Sequence, residues 1–121
     1  MWINNIKLNN FRNYNNKEIK LHENINVFFG ENAQGKTNII ESIFLCSIGK
    51  SFRTNKEKEL IKFNEEKTSV EINYEKSDRT GKIKIEIGDK KQVYLNGIKI
   101  KKLSELLGNI NVVIFTPDDI N

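Results

Sequence analysis

The residues best suited to chemistry form one short stretch of this chain, Gly30-Glu31-Asn32-Ala33-Gln34-Gly35-Lys36-Thr37. Its spacing, G-x-x-x-x-G-K-T, is that of the phosphate-binding P-loop. The glycines let the backbone curl close to phosphates, and we expect loop amides and the positive end of the next helix to surround the phosphate oxygens. Lys36 is then expected to neutralise the β- and γ-phosphates, and the Thr37 hydroxyl to bind Mg²⁺. The stretch therefore predicts binding of a nucleoside triphosphate.

The flanking sequence supplies the two elements that a P-loop needs. Residues 25–29 are almost entirely apolar and predict a buried strand before the loop. Apolar residues from Ile39 to Cys46 recur at helical spacing, which predicts a helix after it. This helix should end near residues 47–50, with Gly49 as its C-terminal cap. A chance glycine turn would lack this context, so the motif is interpreted as functional.

The rest of the chain is dominated by a period of two, which is typical of half-buried strands. From residue 69 to residue 100 the alternation predicts an antiparallel meander with one solvent-facing side, and Asn96-Gly97 predicts a type I′ hairpin. The other predicted elements are a strand over 2–8, an asparagine-rich turn over 9–16, a strand over 18–21, short helices over 57–63 and 103–108, a turn over 77–81 and a buried strand over 112–115.

Composition sets the broad class of protein. The chain has 121 residues, of which 37% are hydrophobic and 30% charged, and its net charge is +4. It has no apolar run near the ~20 residues that a membrane span requires, so no membrane partner is expected. A single cysteine, Cys46, excludes an internal disulfide, fits the cytoplasm and is expected to be a packed core thiol. The only histidine, His22, is expected at the surface.

A second acidic motif, which P-loop ATPases use to hold Mg²⁺ and polarise the attacking water, has one weak candidate. The predicted strand 112–115 is followed by Thr116-Pro117-Asp118-Asp119. Thr116 and Pro117 displace the two carboxylates from the end of the strand, because Pro117 bends the chain away. Asp118 or Asp119 is then either a Mg²⁺ ligand or a solvated turn acid. We therefore predict no catalytic residue in this chain. Its end after a core strand favours the front piece of a longer protein, divided here into a P-loop core (1–63) and a meander with a final core strand (64–121).

Four stretches together resemble the amino-terminal part of the RecF family, within the SMC-like group of ABC ATPases. They are Ile6-Lys7-Leu8-x-x-Phe11-Arg12-Asn13-Tyr14, the loop and helix from Phe29 to Ile43, Gly49-Lys50-Ser51-Phe52-Arg53-Thr54, and Phe115-Thr116-Pro117-Asp118-Asp119-Ile120. The resemblance implies an α/β P-loop NTPase of the ABC-ATPase-head type, with a mixed sheet beside the antiparallel meander. It also implies a head that is incomplete without a signature helix and a catalytic glutamate.

The resemblance further implies a function in DNA recombination, replication and repair. In such proteins two heads close over two ATP molecules as a homodimer and hold DNA. With RecO and RecR they help to load RecA on gapped or single-stranded DNA, in recombinational repair, replication restart and the SOS response. The whole protein is then an ATPase, whereas this chain alone is expected to bind ATP weakly and not to hydrolyse it.

The resemblance also implies roles for particular residues. Those expected to bind ATP are Gly30, Glu31, Asn32, Ala33, Gln34, Gly35, Lys36, Thr37 and Asn38. Arg12 and Asn13 are either contacts to a phosphate or base, or plain turn residues. Lys50 and Arg53 either contact DNA or a partner subunit, or are solvated surface. Mg²⁺ is assigned to Thr37, and Asp118 or Asp119 is the candidate for a further ligand. These two residues fall where such ATPases place the glutamine that senses the γ-phosphate, and they either take that role or are solvated turn acids.

Two other classes of protein remain open. A small nucleotide kinase or GTPase-like switch would share the P-loop, but would need a lid of arginines or an Asn-Lys-x-Asp guanine reader. The chain has only three arginines, Arg12, Arg53 and Arg79, and lacks that motif. The third interpretation is a non-enzymatic scaffold with an empty loop. Binding of Mg-ATP would exclude the scaffold, and a preference for GTP would favour the switch.

Overall fold

The computed structural model describes residues 2–21 and 33–110. Several predictions lie outside these ranges: the surface position of His22, the strand 25–29, the loop residues Gly30 to Asn32, and everything from residue 111 onward. The described elements are β1 (Trp2–Phe11), β2 (Tyr14–Lys20), α1 (Ala33–Ile48), β3 (Thr68–Lys76), β4 (Arg79–Ile87), β5 (Lys91–Leu95), β6 (Ile98–Lys99) and two 3-10 turns (Glu57–Leu60 and Leu103–Glu105).

The strands form one six-stranded sheet in the order β2-β1-β3-β4-β5-β6. Every strand pairing in the described part is antiparallel. The meander β3 to β6 is confirmed, and β1 pairs with β3 along most of its length. The proposed division into 1–63 and 64–121 therefore divides the sequence, but it does not correspond to two separate sheets, since both parts supply strands to the same one.

One face of the sheet packs against α1 and forms the core. Along β3 and β4 every second side chain is buried, as the period of two requires. Ile72 and Ile83 are fully buried opposite one another, and Leu45 and Cys46 on α1 are fully buried as well. Burial raises the pKa of the Cys46 thiol far above its ordinary value, which confirms the predicted core thiol.

The opposite face is polar, as the alternation predicts. Glu71 on β3 lies 3.8 Å from Lys7 on β1 and 3.9 Å from Lys82 on β4. Between β1 and its neighbour β2, Asn5 donates a 2.5 Å hydrogen bond to Glu18, which lowers the pKa of that carboxyl. These exposed cross-strand contacts fix the register more than they add stability.

Two predicted turns are narrower in the structure. The turn over 9–16 is wrong in its extent, because β1 continues to the fully buried Phe11 and only Arg12 and Asn13 connect it to β2. The turn over 77–81 shrinks to Ser77-Asp78, with φ of 52° and 65°. In both cases ladder pairing overrides the local turn preference. Asn96-Gly97 has φ of 53° and 84°, so the type I′ turn is confirmed.

The two short helices are also shorter than predicted. Residues 57–63 form only the 3-10 turn Glu57–Leu60, because Ile61 leaves the turn in extended conformation and forms a bridge with Phe11. Phe63, at the end of the predicted helix, is 86% exposed. Residues 103–108 likewise reduce to the turn Leu103–Glu105, followed by Gly108 at a φ of +88°.

The helix after the P-loop is confirmed. It ends at Ile48, and the Gly49 amide donates a 2.7 Å hydrogen bond to the carbonyl of Leu45. Gly49 has a φ of +83°, the left-handed conformation of a glycine cap. Among the described residues, no helix combines the length and the hydropathy that crossing a bilayer requires.

Candidate functional site

The first turn of α1 is formed by the second half of the predicted phosphate-binding motif. The helix begins at Ala33, so Gln34, Gly35 and Lys36 lie in its first turn. The first four amides of a helix have no partner within the helix and point toward its N-terminus, where an anion can accept from them. The loop residues Gly30 to Asn32 and the side chains of residues 33–36 lie outside the described part.

One turn further along α1, polar side chains replace the apolar pattern. Thr37 is partly buried, Asn38 is buried, and Glu41 is fully buried although it carries a charge. Residues three positions apart share a helix face, so Asn38 and Glu41 point to the same side of α1. A buried carboxylate needs strong partners, and the structure provides them.

Glu41 accepts hydrogen bonds from three side chains. Arg12 donates from Nε to Oε1 at 2.9 Å and from Nη2 to Oε2 at 2.8 Å, which is a bidentate pair. Arg53 donates from Nη1 to Oε1 at 3.1 Å. Ser51 donates from Oγ to Oε2 at 2.6 Å. Both carboxylate oxygens are therefore used twice.

Asn38 extends this arrangement toward the start of the helix. Its Oδ1 accepts a 2.7 Å hydrogen bond from Nη1 of Arg53, and its Nδ2 donates to Oδ1 of Asn13 at 3.1 Å. We call the six connected residues the Glu41 cluster: Arg12, Asn13, Asn38, Glu41, Ser51 and Arg53. The cluster joins the β1–β2 turn, helix α1 and the connector after α1.

The electrostatics of the Glu41 cluster keep its carboxylate ionised. Burial alone would raise the pKa of Glu41, but hydrogen bonds from Arg12 and Ser51 and the charges of Arg12 and Arg53 outweigh it, so the pKa is lowered. The hydrogen bond to Glu41 likewise raises the pKa of Arg12. Two guanidinium groups share one carboxylate, so the cluster keeps a net charge of about +1 at neutral pH.

Local backbone structure places the two arginines. Arg12 has a left-handed φ of 55°, and its amide donates a 2.8 Å hydrogen bond to the carbonyl of Leu60. In the connector, Oγ of Ser51 accepts from the amides of Arg53 at 2.9 Å and Thr54 at 3.3 Å. Such a serine turn fixes the chain direction at Arg53. Both arginine side chains are only partly exposed, at 21% for Arg12 and 28% for Arg53.

The predicted site residues are thus only partly brought together. Arg12 and Asn13 contact α1 directly, through Glu41 and Asn38, and so lie beside the end of the motif. Arg53, predicted as a DNA or partner contact, contacts the same two residues of α1. Lys50 is exposed and lies outside the Glu41 cluster. Asp118 and Asp119 fall outside the described residues.

Sequence reasoning missed Glu41 and Ser51 as site residues. The available signal was an acidic residue inside the apolar stretch from Ile39 to Cys46, because a carboxylate on a buried helix face must be paired. The partners themselves could not be read from the sequence, since Arg12 lies 29 residues away.

A basic surface depression lies beside the cluster, with a volume of about 790 Å³. Lys50, Arg53, Lys56 and Lys91 line it together with Glu57 and Glu59. Lys91 lies 2.6 Å from Glu57 and also donates to the carbonyl of Gly49 at 2.8 Å. Within residues 2–21 and 33–110, no group of three or more His, Cys, Asp or Glu side chains is arranged to hold a metal ion.

Comparison with known proteins gives a consistent family. A family model described as an AAA domain matches residues 5–120. RecF, the DNA replication and repair protein, is 52% identical in Clostridium acetobutylicum and 55% identical in Clostridium novyi, each over 99% of this chain and 34% of the relative. The chain thus spans about one third of the length of these curated relatives.

Solved structures give the same result for the fold. A structure of the recombination mediator protein RecF with ATP, in the RecFOR pathway, matches with a TM-score of 0.87 and 38% identity, over 98% of this chain and 34% of that one. The SMC head domain from Thermotoga maritima matches with a TM-score of 0.62 at 19% identity, over 87% of this chain and 40% of that one.

These matches confirm two predictions: the resemblance to RecF, and the P-loop NTPase fold of the ABC-ATPase-head type, represented here in part. Because the family model covers nearly the whole sequence, the chain belongs to the AAA domain family, and its fold is that of the RecF and SMC head ATPases.

Proposed function

We propose that this chain is the ATP-binding part of a RecF-like ATPase that binds DNA in replication and repair. The observation that carries the proposal is the position of α1. Residues 33–36 belong to the second half of the P-loop motif and form the first helical turn, whose unpaired amides can donate hydrogen bonds to a triphosphate. The matched RecF structure with ATP has the same fold over 98% of this chain.

In this proposal the residues from Gly30 to Asn38 bind ATP, with Lys36 on the β- and γ-phosphates. Thr37 holds Mg²⁺ through its hydroxyl, and Asp118 or Asp119 is the candidate for a further ligand. Arg12 and Asn13 are supported as nucleotide contacts because the β1–β2 turn is hydrogen-bonded to Glu41 and Asn38 on α1. ATP hydrolysis belongs to the longer protein and not to this chain alone.

DNA is the proposed macromolecular partner, and the site of contact is the basic depression beside the cluster. Lys50 is exposed there, and Arg53 contributes its remaining exposed edge. Lysine and arginine contacts to phosphates release counterions, so binding through this surface should weaken steeply with salt. RecO, RecR and a second copy of the ATPase are the further proposed partners, in recombinational repair, replication restart and the SOS response of the cytoplasm.

Titration of the chain with Mg-ATP, followed by nuclear magnetic resonance, tests the proposal. We expect weak but saturable shifts that are centred on α1. Lys36→Ala should abolish them, since it removes the charge that faces the phosphates, whereas Lys99→Ala on the exposed edge strand β6 should leave them unchanged. Saturable binding that survives Lys36→Ala, or no binding by the original chain, would contradict the proposal. Stronger competition by GTP than by ATP would favour a GTPase-like switch instead.

A further inference from the structure

Glu41 has the wrong charge to contact phosphates, yet it lies one helical turn after the proposed phosphate site. Its side chain is fully buried, and a buried carboxylate near bound phosphates repels them unless its charge is cancelled. The two arginines more than cancel it. Any effect of Glu41 on an anionic ligand must therefore act through the groups that Glu41 holds.

The way in which Arg12 is held leaves part of its guanidinium group facing away from Glu41. The carboxylate of Glu41 accepts hydrogen bonds from Nε and Nη2 of Arg12. None of the described residues accepts a hydrogen bond from Nη1. A guanidinium group is rigid and planar, so fixing one edge by two hydrogen bonds also fixes the direction of the other donors. Glu41 therefore orients the guanidinium group of Arg12 but accepts hydrogen bonds from only part of its donors.

Arg53 is held at the same end of α1 by a shared donor. Its Nη1 lies 2.7 Å from Oδ1 of Asn38 and 3.1 Å from Oε1 of Glu41. Without the carboxylate, two like charges would face each other across a partly buried space, and both side chains would be expected to turn into solvent. Glu41 thus holds together two cations that repel one another.

We propose that Glu41 is a positioning residue, which presents the guanidinium group of Arg12 to the phosphates of the nucleotide bound at the start of α1 and holds Arg53 in place beside it. This inference rests on the proposed function. Its physical basis is preorganisation: side chains that are already ordered in the free protein lose less conformational entropy when the ligand binds. The carboxylate contributes to affinity although it does not contact the ligand.

The positioning itself can be measured without any nucleotide, because the chain has only three arginines. Each gives one Nε–H signal by nuclear magnetic resonance. We expect the Arg12 signal to exchange slowly with water because its Nε donates to Glu41. Arg79, which is exposed at the start of β4, is the internal control and should exchange rapidly. Glu41→Gln should accelerate the exchange of Arg12 and leave that of Arg79 unchanged.

The effect on the ligand is measured by titration with Mg-ATP. We expect Glu41→Gln to weaken binding about tenfold, a size typical of residues that act in one network. The matched control is Glu71→Gln, which removes a carboxylate from ion pairs on the polar face of the sheet, away from the Glu41 cluster, and it should change affinity by less than about twofold. In a background of Arg12→Lys and Arg53→Lys, Glu41→Gln should have little further effect on affinity. A lysine has a single ammonium group and no planar set of donors for the carboxylate to orient.

The outcomes separate this inference from the proposed function. If the original chain binds no Mg-ATP, the proposed function fails, and slow exchange at Arg12 then shows a purely structural cluster. If the chain binds Mg-ATP and Glu41→Gln binds equally well, positioning is overturned while the proposed function stands. Positioning would also be overturned if Glu41→Gln weakened binding by the same factor in the original chain and in the double-lysine background. A general structural effect predicts such independent losses.

Discussion

At the scale of single residues, the central feature is a charge that the fold has buried beside a proposed anion site. Glu41 is tolerated on the buried face of α1 because Arg12, Arg53 and Ser51 together satisfy both of its oxygens. Removing one partner of such a pair costs more than the pair itself contributes, since the remaining charge stays desolvated. The same contacts that make the buried carboxylate possible therefore make it important for stability.

Glu41 should make stability depend on pH in the acidic range. Its folded pKa is lowered, so its contribution is fully present above the unfolded value near ~4.3 and is lost as the pH falls through the folded value. We expect Glu41→Gln to lower the free energy of unfolding by about 2–3 kcal/mol at pH 7. This is below the ~3–5 kcal/mol typical of broken fully buried pairs, because both arginines remain partly in water.

Urea unfolding of both proteins at pH 7 and at pH 3 measures this difference. The gap in unfolding free energy should shrink at the lower pH, because below ~4.3 the unfolded chain takes up a proton at Glu41 that the folded carboxyl, with its lowered pKa, resists. Glu71→Gln is the control, since its ion pairs within the described residues are long, at 3.8 and 3.9 Å, and formed with exposed lysines, so its loss should cost less than about 1 kcal/mol at either pH. A gap that stays constant between the two values would show that the charge of Glu41 does not contribute.

At the scale of elements, sequence patterns predicted the strands, helix and turn that depend on residues close together in the chain. The strands β3 to β5, the helix α1 with its Gly49 cap and the Asn96-Gly97 turn follow from periodicity and from glycine conformation. The turn over 9–16 was wrong because asparagine preferences are weaker than ladder pairing with buried β1. The Glu41 cluster was missed for a related reason. It assembles three segments that meet only after β1 pairs with β3 and α1 packs on the sheet.

One element-scale contact gives a sharp prediction about the β3–β4 hairpin. The ring of Tyr74 on β3 covers Gly81, the residue opposite it on β4. A Cβ at Gly81 would lie only 2.2 Å from Cζ and 2.7 Å from Cε1 of that ring. Gly81→Ala should therefore displace the tyrosine and lower the free energy of unfolding by about 1–3 kcal/mol, the usual cost of overpacking.

Thermal or urea unfolding of matched glycine variants tests this contact. Gly88→Ala is the control, because a Cβ there would first meet Cγ of Lys67, a flexible side chain, at 3.2 Å. Its effect should stay within about 0.5 kcal/mol. Combining Gly81→Ala with Tyr74→Leu should cost less than the sum of the two single changes, because the clash is then removed. Additive losses would indicate that the ring is not the source of strain.

At the scale of the whole molecule, the pairing of β1 with β3 makes the two halves of the sequence interdependent. The early half supplies β1, β2 and α1, and the later half supplies the strands on which β1 and α1 pack. Neither half has a second layer of its own within the described residues. A sheet or helix with an uncovered apolar face does not form a stable domain, because the face must be buried against another element.

A fragment of residues 1–63 should therefore not fold alone, although it contains the whole P-loop motif. Without β3, the inner edge of β1 loses its ladder and the fully buried Ile6, Leu8 and Leu45 lose their neighbours on β3 and β4. Exposing each of these side chains loses about 1.5–3 kcal/mol of burial free energy. The loss at these three positions alone approaches the ~5–15 kcal/mol stability of a typical domain. We expect a poorly dispersed amide spectrum and no cooperative unfolding for 1–63. A dispersed spectrum that melts in one transition would instead establish 1–63 as an autonomous domain, and the sheet would then be an assembly of two units.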